Sequence, residues 1–152
     1  RLLAWRAVLR LVPIVLAAVA FVAVAVVLAR WLSAENAERD RVVDLLNAQA
    51  RGDERAMLDL IDGCLARPAC VGAVRENARR LRGPGEVEIV RYDSETSHAL
   101  GPARGPTRVV WRTPDRLPTV QCVEITRTGS ILSGPSVTVT GLSEPIDREA
   151  AC

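Results

Sequence analysis

A run of nineteen apolar residues, Leu11 to Ala29, constrains this chain more than any other feature. The stretch LVPIVLAAVAFVAVAVVLA contains no charge, amide or hydroxyl. As a helix rising ~1.5 Å per residue it extends ~28 Å, close to the ~30 Å hydrocarbon core of a bilayer. A helix on the surface of a soluble domain has a polar face, which this stretch lacks. We therefore predict a transmembrane helix over residues 11–31, after a short basic flank at residues 1–10.

The charges on the two sides of the span predict its orientation. Every ionisable residue before the span is basic, namely Arg1, Arg6 and Arg10. After the span, Arg30 is followed by acids mixed with further arginines. Because Lys and Arg are retained on the cytoplasmic side of a membrane, we expect the N-terminus inside and residues 33–152 outside.

Residues with the chemistry of a membrane interface bracket the span. Tryptophan rings favour the headgroup layers, where arginine side chains are also common. The predicted interface residues are Trp5, Arg6, Arg10, Arg30 and Trp31. A cleaved signal peptide is the alternative, but its apolar region of ~7–15 residues would be followed by a small-x-small cleavage site. Here the run is longer and Arg30 and Trp31 follow it, so we favour a retained anchor.

The part after the span is large enough for one domain with one core. Residues 33–152 contain all 18 acids and 16 arginines, which is the chain's 20 basic residues less Arg1, Arg6, Arg10 and Arg30, so their formal charge is −2. Nucleic-acid binding favours a net basic domain with several stacking aromatics, whereas this domain is slightly acidic and has few aromatic residues. Composition therefore argues against a nucleic-acid partner.

All four cysteines lie on the predicted outer side, where disulfides form and persist. Four cysteines allow three pairings. The segment CLARPAC contains Pro68, which favours a turn, so Cys64 and Cys70 are expected to close a small loop. The remaining pair, Cys122 and Cys152, would hold the C-terminal segment onto a strand. A zinc site is the alternative, but the chain has no CxxC pair and one histidine, so we do not favour a metal site.

Hydrophobic periodicity predicts three helices followed by four strands. A helix continues after the span, with Val42, Leu45 and Leu46 on one stripe that the polar Gln49 interrupts, and Gly52 ends it. A second helix is predicted over residues 53–63 and a third over residues 71–81. After Gly83 the period changes to two, which predicts mostly antiparallel strands at 86–92, 107–113, 117–129 and 136–142. Residues 93–106 are predicted to form a long loop or an extended hairpin, and residues 143–152 an extended tail.

This order of elements predicts an α+β fold with helices packed across one face of a curved sheet. Over residues 35–142, including the helix pair LLNAQARGDERAMLDLI, it resembles the nuclear-transport-factor-2-like (cystatin-like cone) superfamily. The whole arrangement is similar to Mce-associated membrane proteins and to the single-span inner-membrane component of type IV secretion systems. The resemblance implies a non-catalytic scaffold in the inner (cytoplasmic) membrane of a bacterium, with the cone outside.

The sequence contains no catalytic signature. His98 lies near Asp93, Ser94 and Ser97, but triad members normally come from distant segments, so we interpret it as a surface histidine. Enzymes on the cone fold resemble each other in using Asp, His or Tyr inside the cone; we interpret Tyr92 instead as an aromatic at an interface or rim. We predict no catalytic, cofactor-binding or metal-binding residues.

The expected function is that of a structural or assembly subunit of a larger cell-envelope complex. The expected partners are the lipid bilayer and other membrane-protein subunits, contacted through the span and the outer domain. The alternatives are a membrane-tethered module whose cone holds a small apolar ligand and a cone-fold enzyme. A cone filled by its own side chains would favour the first reading, and an open cavity lined by Asp or Tyr would favour the others.

Overall fold

The computed structural model describes residues 2–96, 101–130 and 134–152, with side chains described in those ranges except at 2–11, 31, 34, 130, 134 and 135. His98, the one histidine, lies outside the described residues.

The first helix, α1, runs without interruption from Leu2 to Arg51. Residues 12–29 are all exposed to the surroundings, because nothing in the described chain packs against them. Among the described helices, α1 alone is long and apolar enough to cross a membrane, with a mean hydropathy of 3.0 over its apolar window. The predicted anchor and the first helix of the domain are thus one continuous element.

The second half of α1 is held by its apolar stripe. Val42, Leu45 and Leu46 are fully buried. The helix ends where predicted, because Gly52 adopts a φ of 71°, a conformation that costs a glycine little. The Asp53 carboxylate then accepts a hydrogen bond of 3.0 Å from the backbone N–H of Ala56, which caps the next helix.

Two short helices follow and pack beside α1. Helix α2 spans Glu54–Leu60, one turn of 3-10 helix spans Cys64–Ala66, and α3 spans Pro68–Arg80. A disulfide between Cys64 and Cys70 joins the 3-10 turn to the first turn of α3. This is the pairing that the CLARPAC segment predicts.

The second half of the domain is a four-stranded antiparallel sheet in the order β1-β2-β3-β4. The strands are β1 (Glu88–Ser94), β2 (Ala103–Arg112), β3 (Thr119–Ser130) and β4 (Gly134–Leu142). The predicted number of strands and their antiparallel pairing are confirmed. Residues 103–106, predicted to lie between strands, belong to β2 because they pair with residues 124–127 of β3. Residues 93 and 94 likewise pair with β2, so the described parts of residues 93–106 follow the extended-hairpin alternative, and residues 97–100 lie outside the described residues.

One face of the sheet packs against the helices and forms the core. The core contains α1, α2 and α3 residues together with the inward side chains of the strands, namely Val109, Trp111, Val123, Ile125 and Val139. The chain is thus an α+β protein whose helices lie on one face of an antiparallel sheet.

The tail covers part of the other face. The backbone N–H of Ile146 donates to a β3 carbonyl at 2.8 Å, so the tail first continues beside β3. Cys122, which points away from the core, forms the second predicted disulfide with Cys152. The Arg108 side chain, on the same face, donates at 3.1 Å to the carbonyl of Ala150. The tail is therefore pinned across the sheet by one covalent bond and by hydrogen bonds to Arg108.

Candidate functional site

Tyr92 and Asp93, two of the residues considered for chemistry, are described and point apart, whereas Ser97 and His98 lie outside the described residues. Tyr92 and Asp93 are neighbours on β1, so their side chains point to opposite faces of the sheet. The Asp93 carboxylate forms ion pairs with Arg91 at 2.7 Å and with Arg108 at 3.8 Å on the outer face. Tyr92 points inward and packs against the core. Tyr92 is only partly buried and also lines an open groove, so its interpretation as a rim aromatic stands for the ring, whereas its hydroxyl group is bonded to Glu38 inside the domain.

A buried carboxylate on α1 is the centre of this interior. Glu38 has no exposed surface. Its Oε1 accepts hydrogen bonds from the Tyr92 hydroxyl at 2.7 Å and from Thr107 Oγ1 at 3.0 Å. Its Oε2 accepts from Thr96 Oγ1 at 2.7 Å and from Arg127 Nε at 2.8 Å. We call these five residues the Glu38 cluster.

The Glu38 cluster contains a buried ion pair. The Arg127 side chain is 4% exposed, and its Nη2 lies 2.5 Å from Glu38 Oε2, an ion-pair contact that adds to the Nε hydrogen bond. Burial raises the pKa of Glu38, but hydrogen bonds from Ser94, Tyr92, Thr96 and Arg127 together hold that pKa below its ordinary value of 4.5. Glu38 is therefore ionised at neutral pH.

Tyr92 is the neutral member that accompanies this pair. Burial and the adjacent Glu38 carboxylate raise the pKa of Tyr92 far above its ordinary value. The phenol therefore stays protonated and donates its hydrogen bond over the physiological range.

The geometry of the Glu38 cluster suits a structural role, in which it holds α1 to the sheet. A general acid or base needs a pKa near the working pH and access to a substrate proton. Glu38 is inaccessible, its pKa is lowered, and each of its oxygens already accepts two hydrogen bonds. Through Tyr92, Thr107 and Arg127, one carboxylate on α1 binds β1, β2 and β3. The cluster therefore joins the continuous helix to most of the sheet.

A second set of buried polar groups, the amide cluster, lies near the other end of the domain. The side chains of Gln49 and Gln121 bond reciprocally at 2.9 and 3.3 Å. Trp111 Nε1 donates to Gln121 Oε1 at 2.8 Å. Gln121 Nε2 and Asn77 Nδ2 each donate to the carbonyl of Ser143 at 2.9 Å. These bonds tie α1, α3, the sheet and the start of the tail together.

Sequence reasoning missed both clusters, although a signal for them exists. Glu38 lies four residues before Val42, and Gln49 lies seven residues after it, so both fall on the apolar stripe of α1. From the sequence alone, Glu38 is one of several acids that follow the span, and Gln49 interrupts the apolar stripe. A polar residue on an apolar stripe points to a buried hydrogen-bond partner, which here lies on the sheet.

An open groove of 430 Å³ lies beside the end of β1, next to the tail. Its lining is mostly polar and comes from residues 92–95, Pro106, Arg108, Ala151 and Cys152. The charged Asp93 and Arg108 side chains in this lining are 3.8 Å apart and partly neutralise each other. The groove lies at the edge of the sheet, and Tyr92 is the residue of the Glu38 cluster that also lines it.

The described residues contain no metal-binding group. No set of three or more His, Cys, Asp and Glu side chains in the described ranges is placed to hold a metal ion. All four cysteines are disulfide-bonded, so none is a thiolate ligand, and the zinc alternative does not apply.

The five predicted membrane-interface residues, Trp5, Arg6, Arg10, Arg30 and Trp31, all lie on α1. Arg30 is the one whose side chain is described, and it is half-buried.

No protein-family model matches this chain, and no match is found among curated proteins or among solved structures.

Proposed function

We propose that this protein is a non-catalytic assembly subunit of a larger bacterial cell-envelope complex, anchored in the inner membrane by α1 with residues 33–152 on the extracytoplasmic side. The observation that carries the proposal is the contrast between the exposed apolar half of α1 and the hydrogen-bonded interior of the domain. Residues 12–29 of α1 are all exposed, whereas the polar groups of the interior are committed to internal hydrogen bonds. An apolar surface of this size requires a bilayer or partner helices to cover it.

We also infer that the domain is a cone of the nuclear-transport-factor-2-like type. Three helices precede a four-stranded antiparallel meander and lie on one of its faces, as the resemblance implies. The interior is filled by large side chains such as Trp111, Leu45, Met57 and Ile125, all less than 2% exposed. A filled interior supports the scaffold reading over a cone that holds a small apolar ligand.

The span itself has the composition of a docking helix. Its small residues, Ala17, Ala18, Ala20, Ala23 and Ala25, permit close approach of another helix backbone. We therefore propose that other membrane subunits contact α1 within the bilayer and the domain outside it. The proposal includes no cofactor and no nucleic-acid partner.

The decisive experiment compares the anchor with the residues considered for chemistry. Replacing residues 11–29 with polyleucine keeps membrane insertion but removes the small-residue surface. We expect the polyleucine variant to lose co-purifying membrane proteins after mild-detergent extraction, measured by quantitative mass spectrometry. His98→Ala and Asp93→Asn, by contrast, are expected to leave co-purification and cell phenotype unchanged.

A matched control keeps the composition of the span and changes its order. A variant with the same residues 14–29 scrambled should insert equally well, and it separates the loss of the packing surface from the added hydrophobicity of polyleucine. The proposal fails if His98→Ala or Asp93→Asn abolishes function in a folded, co-purifying protein. It also fails if the native protein extracts as a lone monomer.

The orientation has its own test. Asp147 is exposed on the tail, and the native cysteines are disulfide-bonded, so Asp147→Cys introduces one reactive thiol. An impermeant maleimide should label this thiol on intact spheroplasts as strongly as after lysis. Labelling that requires lysis would place the domain on the cytoplasmic side.

A second candidate, a membrane-tethered ligand-binding module, is favoured by one feature, the 430 Å³ groove. Because Asp93, Glu95 and Arg108 line it, the groove would suit a small polar ligand with charges of both signs. Native mass spectrometry of the detergent-extracted protein separates the candidates: a bound small molecule lost on Arg108→Ala supports this one, and partner subunits without a small molecule support the first.

A further inference from the structure

Two hydrogen bonds give the direction of α1 relative to β1. Near the far end of the helix, the Asn47 side chain accepts a hydrogen bond of 3.0 Å from the Val87 N–H, just before β1. Nine residues earlier on α1, Glu38 accepts one from Tyr92. Nine helical residues rise ~14 Å, and the five residues from Val87 to Tyr92 extend ~16 Å. Since the two lengths are similar, the helix and the strand run in opposite directions.

The contacts with β3 give the same direction. Gln49 is bonded to Gln121, and Glu38 is bonded to Arg127. Eleven helical residues rise ~16 Å, and the six strand residues from Gln121 to Arg127 extend ~20 Å. The Arg127 end of β3 therefore points toward the apolar span.

The sheet continues past Arg127 in that direction. Ser130 at the end of β3 pairs with Gly134 at the start of β4, three residues beyond Arg127. Those three residues add ~10 Å, which equals the rise of six or seven helical residues. The end of the β3–β4 pair thus reaches the level of residues 31–32 of α1, directly after Ala29, where the apolar run ends.

The burial of Arg30 is a second observation that agrees with placing the end of the β3–β4 pair level with residues 31–32. Residues 12–29 are all exposed, as expected of a helix with nothing packed against it, but Arg30 is half-buried. A long side chain on a lone helix would be exposed as well. Arg30, at the boundary of the apolar run, is therefore partly covered by contacts that residues 12–29 lack.

We propose that the membrane-facing end of the sheet, defined as residues 128–130 of β3 and 134–136 of β4, rests on the phospholipid headgroup layer. This layer is ~5–8 Å thick on each side of the hydrocarbon core, so an element level with residues 31–32 lies within it. The proposal depends on the proposed insertion of α1 in a bilayer, and adds that the domain is seated on the membrane surface.

The side chains at this end indicate which lipid chemistry suits it. Thr128 and Ser136 are exposed and carry neutral hydroxyl groups, which bond to headgroup phosphate and glycerol oxygens. These two side chains are uncharged, so zwitterionic phosphatidylcholine is sufficient for their contact, and any added preference for anionic lipid would come from the nearby Arg30 and Arg104.

The test measures depth in phosphatidylcholine vesicles that contain the full chain and no other protein. A bimane fluorophore is attached to Ser136→Cys at the membrane-facing end, to Asp115→Cys at the opposite end of the sheet, or to Ala20→Cys in the span. Mass mapping first verifies that both native disulfides remain. Lipids with a nitroxide on the headgroup quench fluorophores in the headgroup layer, and lipids with a nitroxide on the acyl chain quench those in the core.

We expect headgroup nitroxides to quench Ser136→Cys at least about twofold, because it lies within the ~5–8 Å layer, and to leave Asp115→Cys nearly unchanged. Acyl-chain nitroxides should quench Ala20→Cys. If Ala20→Cys is quenched but Ser136→Cys responds no more than Asp115→Cys, the seated domain is refuted while the anchor stands. If Ala20→Cys is not quenched, both proposals fail. Thr128→Cys, on the paired strand, repeats the measurement should Ser136→Cys misfold.

Discussion

Replacing Glu38 with glutamine tests how strongly the continuous helix is held to the sheet. Glu38→Gln keeps the shape of the side chain but removes its charge. The Arg127 guanidinium, 4% exposed, would then remain buried without a counter-ion. One of the two carboxylate oxygens would also become an amide N–H₂ donor facing side chains that themselves donate.

The magnitude follows from the burial of both partners. Removing one partner of a fully buried ion pair costs roughly 3–5 kcal/mol, because the other charge is left uncompensated. Domains of this size have unfolding free energies of about 5–15 kcal/mol, so the loss is a large part of the total. Removing both charges, in Glu38→Gln/Arg127→Met, should recover most of it.

The assay is urea unfolding of the full chain in mild detergent, followed by the fluorescence of the buried Trp111 in a Trp5→Phe/Trp31→Phe background. Asp40→Asn is the matched control, because it makes the same chemical change at an exposed position of the same helix and should cost less than about 0.5 kcal/mol. Equal stabilities for Glu38→Gln and Asp40→Asn would refute the reasoning.

The pH dependence gives a second check on Glu38. Its pKa is lowered in the folded state from an ordinary 4.5. Its stabilisation is therefore fully present above pH 4.5 and is lost as the pH falls through the lower folded value. The difference in unfolding free energy between the native chain and Glu38→Gln should be constant near neutrality and should shrink in acid. A difference that grows below pH 4.5 would contradict the sign of this shift.

Three further predictions concern other parts of the domain. Tyr92 is the only tyrosine, and its pKa is raised in the folded state. The stabilisation that its protonated hydroxyl provides is therefore fully present below its ordinary pKa of about 10 and is lost as the pH rises above that value. Absorbance at 295 nm should show no phenolate near pH 10 until the protein unfolds, and titration near 10 in the folded state would contradict this. Cys122→Ser should free the tail to proteolysis from residue 143 onward and lower stability by about 2–5 kcal/mol, measured by limited digestion and urea unfolding; an unchanged digestion pattern would show that the disulfide does not hold the tail. Gly52→Ala places a Cβ at a φ of 71° and should cost about 1–2 kcal/mol in the same unfolding assay, and no loss would show that the turn can relax.

The local elements of the fold could be predicted because their signals are local. The alternation of apolar residues in β1 to β4 and the stop at Gly52 depend on neighbours in sequence, and the structure has these elements close to the predicted positions. The disulfides were predictable because CLARPAC closes a short loop and leaves one other pair. The start of β2 was not, because the segment GPARGP has no strand pattern and joins the sheet only through its pairing with β3.

The interior polar clusters could not be predicted in full because their partners are distant in sequence. Glu38 lies 89 residues from Arg127, and Gln49 lies 72 residues from Gln121. Local sequence shows that Glu38 and Gln49 share a stripe with leucines, but it does not show which donors face them. Topology supplies those donors by placing β1, β2 and β3 under the same face of α1.

With α1 inserted in a bilayer as proposed, its unbroken course to Arg51 fixes the rotation of the domain around the membrane normal. Each residue of a helix turns by about 100°, so one residue inserted between Leu32 and Ala37 would swing the whole sheet through that angle and lift it by ~1.5 Å. A different side of the domain would then face any neighbouring protein, with no change in its surface. Seven inserted residues, close to two full turns, would restore the rotation but raise the domain by ~10 Å. The length of this short helical segment therefore sets the rotation of the domain about the helix axis, and with it the side of the domain that faces any neighbouring protein.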